Sequence, residues 1–247
     1  MDTNTNAFNT TIPKLESVTD KYRFIPTGEF IRDVEANGYS LVAKYGPRRG
    51  LGMHSMVFSH PSLPKLPGFE MRLLATNSHD GSAAFRLHLQ AYVLVCKNGL
   101  VTWSNTTAAR VIHVGYAADK VKIALDTATA HIDKTLAQIK ALQSRTVTEE
   151  QFAAFLLWAQ ELRDAKPLFL PALAKVKYSE QAPNTAWNVF NRVQDRLING
   201  GYTTQGQRAR RARSITNVRE QVRINQTLWK IAIEVFLAPK PPLSIQL

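Results

Sequence analysis

Phe69-Glu70-Met71-Arg72-Leu73-Leu74-Ala75-Thr76 runs into Asn77-Ser78-His79-Asp80-Gly81-Ser82 and then into Phe85-Arg86-Leu87-His88-Leu89-Gln90-Ala91. In both flanking runs apolar residues alternate with polar ones, the period of a strand with one buried face. Asp-Gly between two such runs is a strong hairpin signal, because a two-residue turn needs positive φ and these residues tolerate it. The stretch predicts a hairpin that buries Phe69, Met71, Leu73, Phe85, Leu87 and Leu89 and presents Arg72, Arg86, His88 and Gln90 on its other face.

Toward the N-terminus, Thr27 reads as the cap of a helix over Gly28 to Ala36, with Asn37-Gly38 as its stop. Strands are expected over Tyr39 to Tyr45 and Gly52 to His60, joined by a Gly46 to Gly50 turn that carries Arg48 and Arg49. Toward the C-terminus, Tyr92 to Cys96 continues as a strand, Lys97-Asn98-Gly99 turns, and Ala109 to Val114 is a further strand. From Ala117 the period changes to three and four: Val121, Leu125, Ala128, Ile132, Leu136, Ile139 and Leu142 mark one helix of several turns. Thr148 and Gln151 form a capping box for a second. Asn184 caps a third, ended by Gly200-Gly201, and Ile215 to Val235 marks a fourth. Strands followed by helices predict an α+β protein: an antiparallel sheet of about 4–5 strands built around the hairpin, followed by a helical C-terminal half. The expected divisions are a disordered lead over residues 1–13, a mainly β core over 14–116, and a helical part over 117–247 that forms one continuous domain with that core.

The chain has 247 residues and a formal charge of +12. The excess is uneven, since residues 192–247 hold ten basic and three acidic side chains. Its centre is Gly200-Gly201-Tyr202-Thr203-Thr204-Gln205-Gly206-Gln207-Arg208-Ala209-Arg210-Arg211-Ala212-Arg213, a loop with four arginines in six residues and no acid nearby. Glycines and small polar residues build no core, so the loop is expected to be exposed and to seek phosphate. Arg219 and Arg223 continue the patch on the following helix, and Tyr202 offers a ring for stacking on a base. Against this stands the plainer reading of a solvated basic turn that aids solubility.

Catalytic constellations are missing from the pattern. None of the six histidines lies in a metal-binding spacing, although His54 and His88 could meet across strands, and the single cysteine, Cys96, supplies no zinc site and no disulfide. His79-Asp80-Gly81-Ser82 holds residue types that hydrolases use, but turn chemistry accounts for Asp80 and Gly81. There is no phosphate-binding lysine loop and no nucleophile elbow. Catalytic residues, metal and cofactor are therefore all expected to be none. Cys96 and the tryptophans Trp103, Trp158, Trp187 and Trp229 read as core. No secretion signal or membrane-spanning run is seen, so a soluble cytoplasmic protein with no membrane contact is expected.

Two segments resemble a phage- and plasmid-borne family catalogued as domain of unknown function 932. The first is Asn77-Ser78-His79-Asp80-Gly81-Ser82 with a downstream Cys96-Lys97-Asn98-Gly99-Leu100. The second is Thr185-Ala186-Trp187-Asn188-Val189-Phe190-Asn191, an arginine-rich stretch, and Asn225-Gln226-Thr227-Leu228-Trp229. The resemblance implies a mobile-element origin and no established chemistry. More loosely, hairpin strands followed by helices with excess positive charge look like phage single-strand annealing proteins, which form rings around a basic groove.

Charge and this likeness together give the expected function: a non-enzymatic, sequence-independent single-stranded DNA-binding protein, oligomeric and ring-forming, that anneals or recombines strands. Its contacts would be Arg208, Arg210, Arg211, Arg213, Arg219, Arg223, Arg48, Arg49, Arg72, Arg86, His88 and Tyr202. One alternative is a counter-defence or host-takeover protein that binds a protein partner. Another is a metal-dependent nuclease, for which Asp80, Asp119 and Asp126 are the loose candidates.

Overall fold

The structure, a computed structural model, describes residues 7–8, 24–46, 52–80, 85–94, 98–101, 109–111, 118–163, 175–177, 179, 183–202 and 211–238. The chain is α+β, with an antiparallel sheet in its N-terminal half and most helices after it. It divides into two compact units. The first holds Met1–Tyr92, Ser104–Ile132 and Asn217–Arg219; the second holds Val93–Trp103, Asp133–Thr216 and Glu220–Leu247.

In the first unit, helix α1 (Thr27–Ala36) precedes strands β1 (Ser40–Tyr45), β2 (His54–Ser59), β3 (Lys65–Leu66), β4 (Phe69–Asn77) and β5 (Phe85–Val93). Their order in the sheet is β1-β2-β4-β5, and β3 pairs with β4. β1 and β2 are antiparallel with a bulge between Leu41 and Ala43, and β2 sets His54 opposite Asn77 on β4. A short strand β7 (Ala109–Val111) pairs with β5, and helix α2 (Ala118–Thr129) packs against β7 and α1. Phe30 of α1 anchors the core, its ring centroid 6.3 Å from that of Phe58 and 3.8 Å from that of Phe85.

The hairpin strands lie where the alternation puts them, but the open polar face does not extend along them. Arg86 is exposed and Arg72 half-buried, whereas His88 and Gln90 are buried. Leu74 and Thr76 on β4 are buried as well, so from there on both faces of the sheet are covered. The Gly81-Ser82 part of the turn lies outside the described residues.

The second unit contains strand β6 (Asn98–Val101), helix α3 (Ile132–Ser144) except its first residue, helices α4 (Glu149–Gln160) and α5 (Ala186–Asn199), and helix α6 (Val218–Phe236) from Glu220 onward. The single helix expected from Ala117 to Leu142 is broken at Ala130-His131. The hydroxyls of Thr127 and Thr129 donate to the carbonyls of Ile123 and Leu125 at 2.7 and 2.9 Å, back-bonding that weakens and bends a helix. The capping box of α4 is present, with Thr148 and Gln151 satisfying each other's backbone N–H groups. The cap of α5 is Thr185, one residue beyond the expected Asn184. Asn184 instead binds the chain before α4, its carbonyl accepting from Val147 N at 3.1 Å. The core is aromatic: Phe190 lies 6.4 Å from Phe155 and meets Trp229 edge-on at 5.6 Å.

Candidate functional site

The arginine loop leaves α5 through two glycines with positive φ, Gly200 at 68° and Gly201 at 80°. A Cβ on Gly200 would lie 2.5 Å from the Ala212 carbonyl oxygen, so the returning chain runs directly over it. The two arms then hydrogen-bond as a short ribbon. Gly201 N donates to Ala212 O at 3.0 Å and Ala212 N to Tyr202 O at 2.8 Å, while Ile215 N reaches Ile198 O at 2.8 Å. Ser214 Oγ adds a bond to Asn199 O at 3.0 Å. Arg163, just past α4, locks the foot by donating to the carbonyls of Leu197 in the last turn of α5 and of Arg213 on the returning arm, with its guanidinium 5.8 Å from the Tyr202 ring centroid. The loop is thus closed at its base by backbone and guanidinium bonds, and Arg211 and Arg213 emerge exposed from that base. Neither joins an ion pair among the described residues.

The other expected contacts divide. Arg208, Arg210, Arg48 and Arg49 lie outside the described residues. Arg86 is exposed, and across the β5–β7 ladder it stands opposite Arg110. Arg219 is exposed on the first turn of α6. Arg223, by contrast, is committed: it grips Glu220 through two bonds of 2.6 and 2.8 Å and donates to Leu162 O at 2.6 Å. This pairing holds the Glu220 carboxyl below its ordinary pKa. Arg72 is likewise committed, paired with Glu70 and stacked 3.7 Å from the Tyr92 centroid. Tyr202 is only 5% exposed and serves the loop foot, so it offers no face to a base. His88 is 6% exposed, and burial, aided by the Arg86 charge, depresses its pKa to about 4, so it is neutral at physiological pH and no phosphate ligand.

A second constellation lies in the first unit. Thr27, expected as a cap, makes no side-chain capping bond; Pro26 holds the N-cap position. The Thr27 hydroxyl is buried between two imidazoles, 2.9 Å from His54 Nε2 and 2.8 Å from His79 Nε2. The carbonyl of Ala7 completes the group, 3.0 Å from Thr27 Oγ1 and 2.9 Å from His79 Nε2. His54 Nδ1 faces the Gly52 carbonyl at 3.1 Å. Burial lowers the His54 pKa, against the opposing pull of the Gly52 bond and the Asp80 charge. Neutral His54 therefore gives its one proton to Gly52 from Nδ1 and turns a lone pair on Nε2 inward. His54 meets His79, with ring centroids 4.9 Å apart, rather than the expected His88. Beside them the Asn77 amide is fully buried with neither its oxygen nor its nitrogen hydrogen-bonded, an arrangement that costs about 1–3 kcal/mol per group. Among the described residues no three His, Cys, Asp or Glu side chains cluster.

The profile of the family described as a domain of unknown function (DUF932) matches residues 14–229. The chain belongs to this family. Among curated proteins, it is similar to UPF0380 protein YafZ of Escherichia coli K12, 23% identical over 232 residues that cover 89% of this chain and 84% of the relative. UPF0380 protein YfjQ of the same organism is 22% identical over 230 residues, with the same coverage. No solved structure matches the chain. Among the described residues, no helix of this DUF932 protein is long and apolar enough to cross a membrane.

Sequence reading missed Arg163 and Thr27. Arg163 stands alone in a helix-end segment and gains its role from two carbonyls 34 and 50 residues away. Thr27 meets partners 27 and 52 residues downstream, and a threonine before an amphipathic run reads locally as a cap.

Proposed function

We propose that this DUF932 protein binds single-stranded DNA without sequence preference and anneals or recombines strands, gripping phosphates with Arg208, Arg210, Arg211 and Arg213. The observation that carries this reading is the closed foot of the arginine loop. Cross-bonded arms and the Arg163 fork fix where the loop leaves the helices, and the arginines at its base are exposed with no ion pair among the described residues. A fixed base lowers the ordering cost of binding, so more of each arginine–phosphate interaction appears as affinity. With Tyr202 buried, the grip is on the backbone alone. That suits annealing, because base edges stay free to pair. Exposed Arg86 gives a second basic point in the first unit.

Fluorescence anisotropy of a labelled oligonucleotide across a salt series tests this. If four phosphates are neutralised, log K falls against log salt with a slope of about −3, at ~0.7 per phosphate for single strands. Replacing Arg208, Arg210, Arg211 and Arg213 by alanine flattens that slope and weakens binding equally for all sequences. A flat slope in the wild type, or unchanged binding in the quadruple variant, refutes the reading.

A further inference from the structure

We propose that Arg196 joins Arg211 and Arg213 at the foot of the arginine loop in one phosphate subsite, so that the grip on a strand's backbone begins on helix α5. The inference rests on the DNA reading and deepens it, adding a starting place for the contact and a residue that the arginine run does not contain. It stands on a guanidinium that nothing among the described residues employs.

Arg196 lies in the last turn of α5. An arginine there ordinarily binds the terminal carbonyls of its helix. All four are already taken. Arg196 O accepts from Gly200 N at 2.9 Å, Leu197 O from the Arg163 guanidinium, Ile198 O from Ile215 N at 2.8 Å and Asn199 O from Ser214 Oγ at 3.0 Å. The other ordinary partner is a carboxylate, and the adjacent one, Asp195, is occupied. It accepts from Lys177 Nζ at 3.2 Å and from Asn199 Nδ2 at 2.7 Å. Arg196 therefore makes no ion pair among the described residues, and its Nε is buried with no acceptor. A charged donor that gives up water for no partner is costly, and an arriving anion recovers that cost through charge-assisted hydrogen bonds.

Position decides which anion. Arg196 Nη1 lies 3.6 Å from where a Cβ on Gly201 would sit. Gly201 N is bonded to Ala212 O, and the residues flanking Ala212 are the exposed Arg211 and Arg213. The far end of Arg196 thus stands against the rung that carries both loop arginines. Half-burial and the covered Nε restrain it there, so it loses less freedom on binding than an arginine on an open loop. A planar guanidinium fork beside two further guanidinium groups suits a phosphodiester.

The test uses the full chain and a labelled oligothymidylate, read by anisotropy across a salt series. Arg196→Gln removes the charge and keeps most of the side chain's length. Each phosphate contact on a single strand contributes ~0.7 to the slope of log K against log salt. The slope should therefore become shallower by about 0.7, with binding about eightfold weaker at ~0.05 M salt and nearly unchanged at ~1 M. Arg196→Lys should restore the slope, because an ammonium also neutralises a phosphate. Lys140→Gln, the same charge change at an exposed lysine of α3, should keep the wild-type slope. In the wild type, the Arg196 side-chain Nε–H resonance, assigned by its loss in Arg196→Lys, should shift when the strand is added. An unchanged slope in Arg196→Gln, a slope that lysine does not restore, an equal loss in Lys140→Gln, or an unmoved resonance overturns this inference. The loop reading survives any of these if the quadruple arginine variant still loses binding, whereas a wild type that binds no strand overturns both.

Discussion

Lowering the pH from about 7.5 to about 5 tests the burial of His88. In the folded protein burial, reinforced by the Arg86 guanidinium, brings its pKa from 6.5 to about 4. Between these values the unfolded chain holds a proton that the folded chain excludes, so stability is complete above about pH 6.5 and falls as the pH falls. The full gap corresponds to about 3 kcal/mol, of which about 2 kcal/mol is lost by about pH 5. That is a large share of the ~5–15 kcal/mol that holds a typical domain folded. The perturbation is His88→Gln, which keeps a polar side chain and removes the titration. Urea unfolding of both proteins at the two pH values gives the stability difference between them. That difference should move by about 2 kcal/mol in favour of the variant on acidification. His54, also lowered by burial, titrates in both proteins and cancels. A difference constant to within about 0.5 kcal/mol would refute the reasoning, because His88 would then be taking up its proton as freely folded as unfolded.

Gly200→Ala should cost at least about 2 kcal/mol, seen as a lower urea midpoint, because φ is +68° and the new Cβ meets the Ala212 carbonyl at 2.5 Å. A variant as stable as wild type would mean that the chain does not return over Gly200. Arg163→Ala should speed hydrogen exchange at Gly201 and Ala212 by about tenfold or more, since both arms of the loop foot lose a shared donor. Arg163→Lys should behave like the alanine variant, because the two carbonyls are bound by separate guanidinium nitrogens and the single, less far-reaching lysine nitrogen does not span them; full protection with lysine would reduce the role to charge. Trp229→Ala, which empties a fully buried site against Phe190, should destabilise by about 3–5 kcal/mol in urea, and a loss below about 1 kcal/mol would contradict that packing.

Much of the fold was legible because its signals are local. Alternation from Phe69 to Ala91 fixes two strands, Thr148 with Gln151 writes a capping box into four residues, and Gly200-Gly201 ends a helix where only positive φ serves. What was not legible depends on partners distant in sequence. The alternation at His88 and Gln90 says that they share a face, but not that this face is covered. Thr185 takes the cap and Asn184 the tertiary bond because the chain before α4 comes alongside, which no window around either residue contains. The same limit hides the buried histidine group: its members are drawn from Ala7, Thr27, His54 and His79, and no spacing rule joins them. The arginine loop was legible as charge, while its attachment, which turns on Arg163 and the Ala212 carbonyl, was not.

The closed foot of that loop also makes it replaceable. Because Gly201 and Tyr202 bond to Ala212, the two arms are joined at the foot, between Arg211 and Arg213. Any segment that joins Tyr202 to Arg211 is then set on the same base. Doubling its length costs only about 0.6 kcal/mol in closure entropy, little beside the stability of the helices beneath. The segment between the arms is thus a cassette. Different sequences can be inserted, lengthened or exchanged there without disturbing the scaffold.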